Sequence, residues 1–151
     1  MINYNNYLRD IGIVEGVIKN RIDEIVKYYN KLHNEDELKD IFISEYIDEE
    51  GNRIYTSLWL FYDKIICEAK NFINETDFDS SSYEMNKIVY WNMKSKDFIQ
   101  DEIKDSDRLL LHVIFNENNV SGDFKASKIN CKYLLNLLEK YFVYKAKDIS
   151  Y

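Results

Sequence analysis

Two histidines, two cysteines and one dense acidic stretch are the residues of this chain whose types could do chemistry. Nucleophilic catalysis by a serine or cysteine needs a base, usually histidine, that a third group orients. His33 falls in the polar connection His33-Asn34-Glu35-Asp36 and reads as solvated. His112 lies in the run Leu109-Leu110-Leu111-His112-Val113-Ile114 and reads as a hydrogen-bonded strand residue, not a base. A zinc site needs more ligands, at closer spacing, than two scattered histidines and two scattered cysteines supply. Cys67 and Cys131 stand among apolar neighbours outside any C-x-x-C pair, so two buried free thiols are expected. Asp77-Phe78-Asp79-Ser80-Ser81 begins like a calcium loop, but Ser82 stands where the sharp turn needs glycine and Ile88 where a bidentate glutamate belongs. Gly12, Gly16, Gly51 and Gly122 make no phosphate-cradling loop. Asp97, Asp101, Glu102, Asp105 and Asp107 could supply a carboxylate pair, yet nothing sets two of them in a cleft, and a solvated acidic loop accounts for them. The expectation is therefore no catalytic residue, no metal and no cofactor.

The elements that would have to position such residues follow from periodicity. Between residues 7 and 32, Ile11, Val14, Ile18, Ile22, Ile25, Tyr29 and Leu32 recur at spacings of three and four with charged residues between them, which predicts one amphipathic helix. The near-heptad spacing leaves two roles open for that stripe: covering the sheet of its own chain, or pairing with a second copy. Gly12 and Gly16 weaken such a helix by about 1 kcal/mol each relative to alanine. From residue 38 the period becomes two, giving strands over 38–47 and 53–62 joined by the turn Asp48-Glu49-Glu50-Gly51-Asn52. Further strands are expected over 65–72, around 76–79, over 87–93, 108–115 (fully buried) and 120–126, the last with a bulge at Gly122. The segment 94–107 is a charged loop. A final helix starts near Asn130 as N-cap, with Cys131, Leu134, Leu135, Leu138, Tyr141 and Phe142 on its apolar face, and 144–151 reads as a tail.

The 151 residues suit one domain, and the hydrophobic fraction of 46% suits a packed core. A net charge of -7 opposes nonspecific attraction to nucleic acid or to an anionic membrane, since both attract by neutralising negative charge. Lys94 and Lys96 on one loop, and Lys125, Lys128 and Lys132 near the last helix, read as scattered and solvated. The 13 tyrosines read as amphipathic strand and helix residues more than as a base-stacking platform. With no apolar run near ~18 residues and no basic, apolar leader at the N-terminus, a cytoplasmic location is expected.

Successive hairpins closed by one amphipathic helix, over residues 38–143, resemble the pleckstrin-homology-like barrel. Thr56-Ser57-Leu58-Trp59-Leu60-Phe61-Tyr62-Asp63-Lys64-Ile65-Ile66 is similar to the second and third strands of bacterial and GRAM-type members, and Phe124-Lys125-Ala126-Ser127 runs into the last helix as theirs do. The resemblance implies an α+β chain. An N-terminal amphipathic helix (1–33) precedes a six- or seven-stranded antiparallel barrel or sandwich closed by the C-terminal helix (34–143). It also implies a binding module, while the acidic first hairpin loop departs from members that bind phosphoinositide headgroups.

The expected function is a non-catalytic, cytoplasmic interaction module that binds a protein partner or itself, with a homodimer through the N-terminal helix as one form of assembly. Its candidate surface comprises Ile11, Val14, Ile18, Ile22, Ile25 and Tyr29, together with Asp101, Glu102 and Asp105 in the acidic loop. Two alternatives stand beside it. One is a small-molecule or lipid pocket, or an enzyme, lined by Trp59, Tyr90 and Trp91; the other is an immunity or inhibitor-type protein that meets a basic partner.

Overall fold

The structure, a computed structural model, describes residues 3–33, 36–73, 77–96 and 108–143. In chain order the elements are α1 (Asn5–Asp10), α2 (Val17–Leu32), β1 (Asp40–Ile47), β2 (Arg53–Phe61), β3 (Ile65–Lys70), β4 (Asp79–Glu84), β5 (Tyr90–Lys96), β6 (Arg108–Ile114), β7 (Ser121–Ser127) and α3 (Asn130–Leu137). A 3₁₀ turn, Met85–Lys87, separates β4 from β5, and α3 continues as a π-helical stretch, Leu138–Phe142. The chain is α+β, with antiparallel sheets ordered β1-β2-β3-β4 and β5-β6-β7. Among the described residues these sheets are open and do not close into a barrel.

The continuous helix expected over 7–32 is two helices. Gly12 has φ 91° and Gly16 φ 97°, which right-handed helix cannot contain. Around Gly12 the chain closes α1 with paired reverse bonds, the Ile13 N–H to the Leu8 carbonyl (2.7 Å) and the Gly12 N–H to the Arg9 carbonyl (3.0 Å). That is a Schellman ending, and glycine holds its left-handed position without Cβ strain. Leu8 and Ile13, the residues such an ending brings together, are both buried.

The first hairpin turn forms as the sequence predicts. Gly51 has φ 85°, its N–H donates to the Asp48 carbonyl (3.0 Å), and the Asp48 carboxylate accepts from the N–H groups of Glu50 and Asn52. Elsewhere the boundaries move. β4 begins at Asp79, β5 extends through Lys94 to Lys96 where a loop was expected, and Gly122 pairs in register with Val113 without a bulge. Asn130 is the first residue of α3 and is buried, so it does not serve as an N-cap.

The described residues fall into two compact units. The first joins α1 and α2 with β1 up to Ile43, β2 from Tyr55, β3 and β4 up to Tyr83. Its core includes Leu8, Ile11, Ile22, Ile25, Tyr29, Phe42, Leu58, Trp59 and Phe72. Tyr7 stacks on Phe42 with ring centroids 6.4 Å apart, and its hydroxyl accepts the Ile43 N–H at 2.8 Å. The second unit contains residues 44–54, β5, β6, β7 and α3. Leu109, Leu111, Val113, Phe124, Leu134 and Phe142 form its core, with Phe124 and Phe142 centroids 5.6 Å apart.

Candidate functional site

In β6 burial alternates strictly. Leu109, Leu111 and Val113 are buried, whereas Arg108, Leu110, His112 and Ile114 are only partly so. The run that reads as wholly buried is therefore two-faced, because one side of the three-stranded sheet is covered and the other meets solvent. Register assigns the outer face. Tyr90, Ile114 and Ser121 form one row, Asn92, His112 and Asp123 the next, and Lys94, Leu110 and Lys125 the third; Arg108 and Ser127 follow. Along the strands this face runs from Tyr90 and Ile114, through the polar row of Asn92, His112 and Asp123, to a basic end.

At the basic end lies a groove of about 260 Å³ lined by Glu45, Tyr46, Lys94, Ser95, Arg108, Leu109, Leu110, Lys125 and Ala126. Glu45, on the β1 segment of the same unit, is fully buried and anchors the floor. It accepts the forked guanidinium of Arg53, with Nη2 to Oε1 at 2.8 Å, and the Ser127 hydroxyl at 3.0 Å. That pairing neutralises the one buried acid of the groove. The Lys125 ammonium lies 5.5 Å from the centre of the exposed Tyr46 ring, a cation–π contact. Neither Lys94 nor Lys125 has a carboxylate within ion-pair distance among the described residues. Among the described residues the rim of this groove carries Lys94, Arg108 and Lys125.

Next to it, His112 Nδ1 and Asp123 Oδ1 are 2.7 Å apart, both part-exposed. His112 is a hydrogen-bonded strand residue, as its position predicts. His33 departs from expectation. Its ring is 5.2 Å from that of Tyr62 and its Nε2 is 3.4 Å from Cys67 Sγ, so it is not simply solvated. Burial pushes the Cys67 thiol up to about 11, against the opposing effect of its contact with Ser82. Roughly one part in ten thousand would be thiolate at neutral pH, too little for a nucleophile. Cys131 is likewise free and buried.

The first unit holds a second buried acid, Glu68, which accepts from the Ser57 hydroxyl (2.8 Å) and the Tyr83 hydroxyl (3.2 Å). Tyr29 donates to the Glu68 backbone carbonyl (3.2 Å) and meets the Ser80 hydroxyl. Burial raises Tyr29 to about 12. These are structural hydrogen bonds among buried side chains.

Of the apolar stripe, Ile11, Ile22, Ile25 and Tyr29 are buried, Ile18 is half-buried and Val14 is exposed. Four of the six side chains thus cover the first unit's own interior and present no surface. Val14 is exposed because it falls in the break between α1 and α2. Asp101, Glu102 and Asp105 lie outside the described residues. Of the candidate pocket aromatics, Trp59 is core, Trp91 shares the inner row with Val113, and Tyr90 is exposed on the outer face.

Periodicity missed Glu45, Arg53 and the basic groove. The available signal was strand pairing, since Lys94 and Lys125 belong to different segments and become neighbours of Leu110 only through register. Among the described residues no group of three or more His, Cys, Asp or Glu side chains could hold a metal ion, and no helix is long and apolar enough to cross a membrane. No protein-family model matches the chain, and neither a curated protein nor a solved structure shows detectable similarity to it.

Proposed function

We propose that this protein is a non-catalytic, cytoplasmic interaction module that binds a protein partner on the outer face of the β5-β6-β7 sheet. The observation that carries the reading is that face itself. Tyr90, Leu110 and Ile114 leave apolar surface partly open beside Lys94, Arg108 and Lys125, the mixture of anchors and cations that protein interfaces use. Two buried free thiols suit a reducing compartment. In this reading the two antiparallel sheets and the C-terminal helix are the frame of the module, of a pleckstrin-homology-like kind. Self-association through the N-terminal stripe has less support, because most of that stripe is internal.

Photo-crosslinking in host cells tests the reading. A benzophenone side chain in place of Asn92 should give a discrete protein adduct, and the adduct should weaken when Lys94 and Lys125 are both changed to glutamate. The same probe in place of Glu24, exposed on α2, should give none. Equal labelling from both positions, or no adduct from position 92, would count against it.

A further inference from the structure

The end of the β5-β6-β7 sheet remote from Lys96 and Arg108 holds another cleft of the second unit. It lies past the row of Tyr90, Ile114 and Ser121, about 20 Å along the strands from the row of Lys96, Arg108 and Ser127. Its volume is about 600 Å³, within the usual ~300–1,000 Å³ of a small-ligand site. One wall runs from the 3₁₀ turn Met85–Lys87 into Ile88 and Val89, and the other is the turn 116–119 between β6 and β7.

Both walls are fixed without a ligand. Met85 and Ile88 are buried, and the Val89 N–H donates to the Ile114 carbonyl at 2.9 Å, which ties the first wall to the end of β6. In the second, the Asn116 side-chain oxygen accepts the N–H groups of Asn118 (3.0 Å) and Val120 (3.4 Å), and the Phe115 N–H donates to the Val120 carbonyl (2.7 Å). A ligand therefore need not order a loop before it binds, which lowers the entropic cost of binding.

Chemistry selects the ligand. The cleft is lined by one cation and one anion, Lys87 and Glu117, and Glu84 already engages the Lys87 ammonium at 2.9 Å. An anion would compete with Glu84 for that ammonium and face Glu117 as well. A cation would find one exposed carboxylate whose field already reaches Lys87, a pairing of little worth in water. A neutral ligand meets neither conflict. The carboxamides of Asn86 and Asn118 are exposed and make no hydrogen bond to another described residue. Each offers a donor and an acceptor side by side, which a hydroxyl group, itself both donor and acceptor, can satisfy. Val89, 38% exposed on the first wall, adds apolar surface for the C–H face of a ring.

We propose that this cleft binds an uncharged, polyhydroxylated ring compound, a sugar of one or two rings. The Asn86 and Asn118 carboxamides take its hydroxyls and Val89 lies against its C–H face. A free sugar and the end of a glycan share this chemistry. The site uses none of the residues of the protein-binding face proposed above, so either can fail without the other.

Saturation-transfer difference NMR on the full chain tests it, with D-glucose, D-galactose, D-mannose and N-acetyl-D-glucosamine and their methyl β-glycosides as probes. At least one probe should show saturable transfer with a Kd of about 10 mM or tighter. Binding of a methyl glycoside assigns the cleft to a glycan end, and binding of the free sugar alone to a soluble sugar; both bear out the ligand class. Asn86→Leu and Asn118→Leu should each weaken that binding about 3- to 10-fold, the loss of one net hydrogen bond, while Asn20→Leu, on α2 in the first unit, should leave it unchanged. All three positions are exposed, and an unchanged thermal midpoint confirms that the variants fold. Binding that survives both cleft substitutions in full would overturn the site. Absence of saturable transfer from every probe up to about 20 mM would overturn the ligand class. A preference of about 10-fold for glucuronate or glucosamine over glucose would overturn its neutrality, since the charges of the lining would then not balance.

Discussion

Glu45 is the residue on which the second unit's polar architecture turns, and the ion pair it makes is asymmetric. Its side chain is 0% exposed, whereas that of Arg53 retains 27% of its exposure. Removing the arginine strands a fully buried carboxylate with Ser127 as its remaining partner among the described residues, while removing the carboxylate leaves a guanidinium that can turn toward water. Breaking a buried pair costs roughly 3–5 kcal/mol when the survivor stays buried, and less when it can be resolvated. Arg53→Met should therefore cost about 3–5 kcal/mol and Glu45→Gln about 1–3 kcal/mol, read as shifts in urea midpoint at constant slope. Equal costs, or a larger one for Glu45→Gln, would show that Arg53 is not the group that stabilises the buried charge. The double variant should cost less than the sum, because neither orphan remains. Glu45 shares the strand face of Ile41, Ile43 and Ile47 and passed as a lone polar exception in it, because only the fold brings Ser127 and Arg53 to its carboxylate.

At the scale of elements, strands were legible where period two and turn chemistry agreed. Residues 40–47 and 53–61 pair around a turn whose Asp48 and Gly51 announce it, and β2 meets β3 across the short connection Tyr62-Asp63-Lys64. Local signals failed where two of them competed. The stripe from Ile11 to Leu32 is helical in spacing, and that spacing outweighed the glycines, although a left-handed Gly12 ends α1 and Gly16 starts α2. The two accounts give opposite signs for one substitution. In a continuous exposed helix Gly16→Ala would stabilise by about 1 kcal/mol. With Gly16 at φ 97° and ψ -163°, alanine is strained by its own backbone and should cost about 1–3 kcal/mol, although no atom lies within 4 Å of the added Cβ. Chemical denaturation of Gly16→Ala decides between them by sign alone, and a gain in stability would mean that the break is not maintained in solution. The face of β6 was misread for a related reason. A run of Leu, Val and Ile has no polar residue to mark the outward side except His112, so a half-exposed strand and a buried one look alike until the neighbouring strands supply Asn92 and Asp123.

Taken as a whole molecule, charge and hydroxyl placement govern how stability responds to pH. The net charge of -7 gave the correct sign for the chain but could not locate a basic groove, since composition averages over the surface that folding sorts. The same sorting buries ionisable groups whose neutral form the fold prefers. Desolvation raises Cys67 from 9.0 to about 11 and Tyr29 from 10.0 to about 12, and it raises Tyr4, Tyr62 and Tyr83 as well. For each group the folded value lies above the unfolded one, so the unfolded chain releases its proton first as pH rises. The stabilisation is complete below about pH 9 and is lost as pH climbs toward 11–12, because the slope of stability follows the excess of protons bound by the folded state. Where several groups act together, each adds up to about 1.4 kcal/mol of loss per pH unit. The chain should therefore unfold cooperatively in base, with buried tyrosines ionising in the same step as far-UV circular dichroism collapses. If Tyr29, Tyr62 and Tyr83 ionised near pH 10 with secondary structure intact, these hydroxyls would have to be more accessible than their burial allows. Tyr83→Phe offers an internal control, since it removes one raised group, costs one hydrogen bond to Glu68, and should shift the alkaline transition to higher pH relative to its own neutral-pH stability.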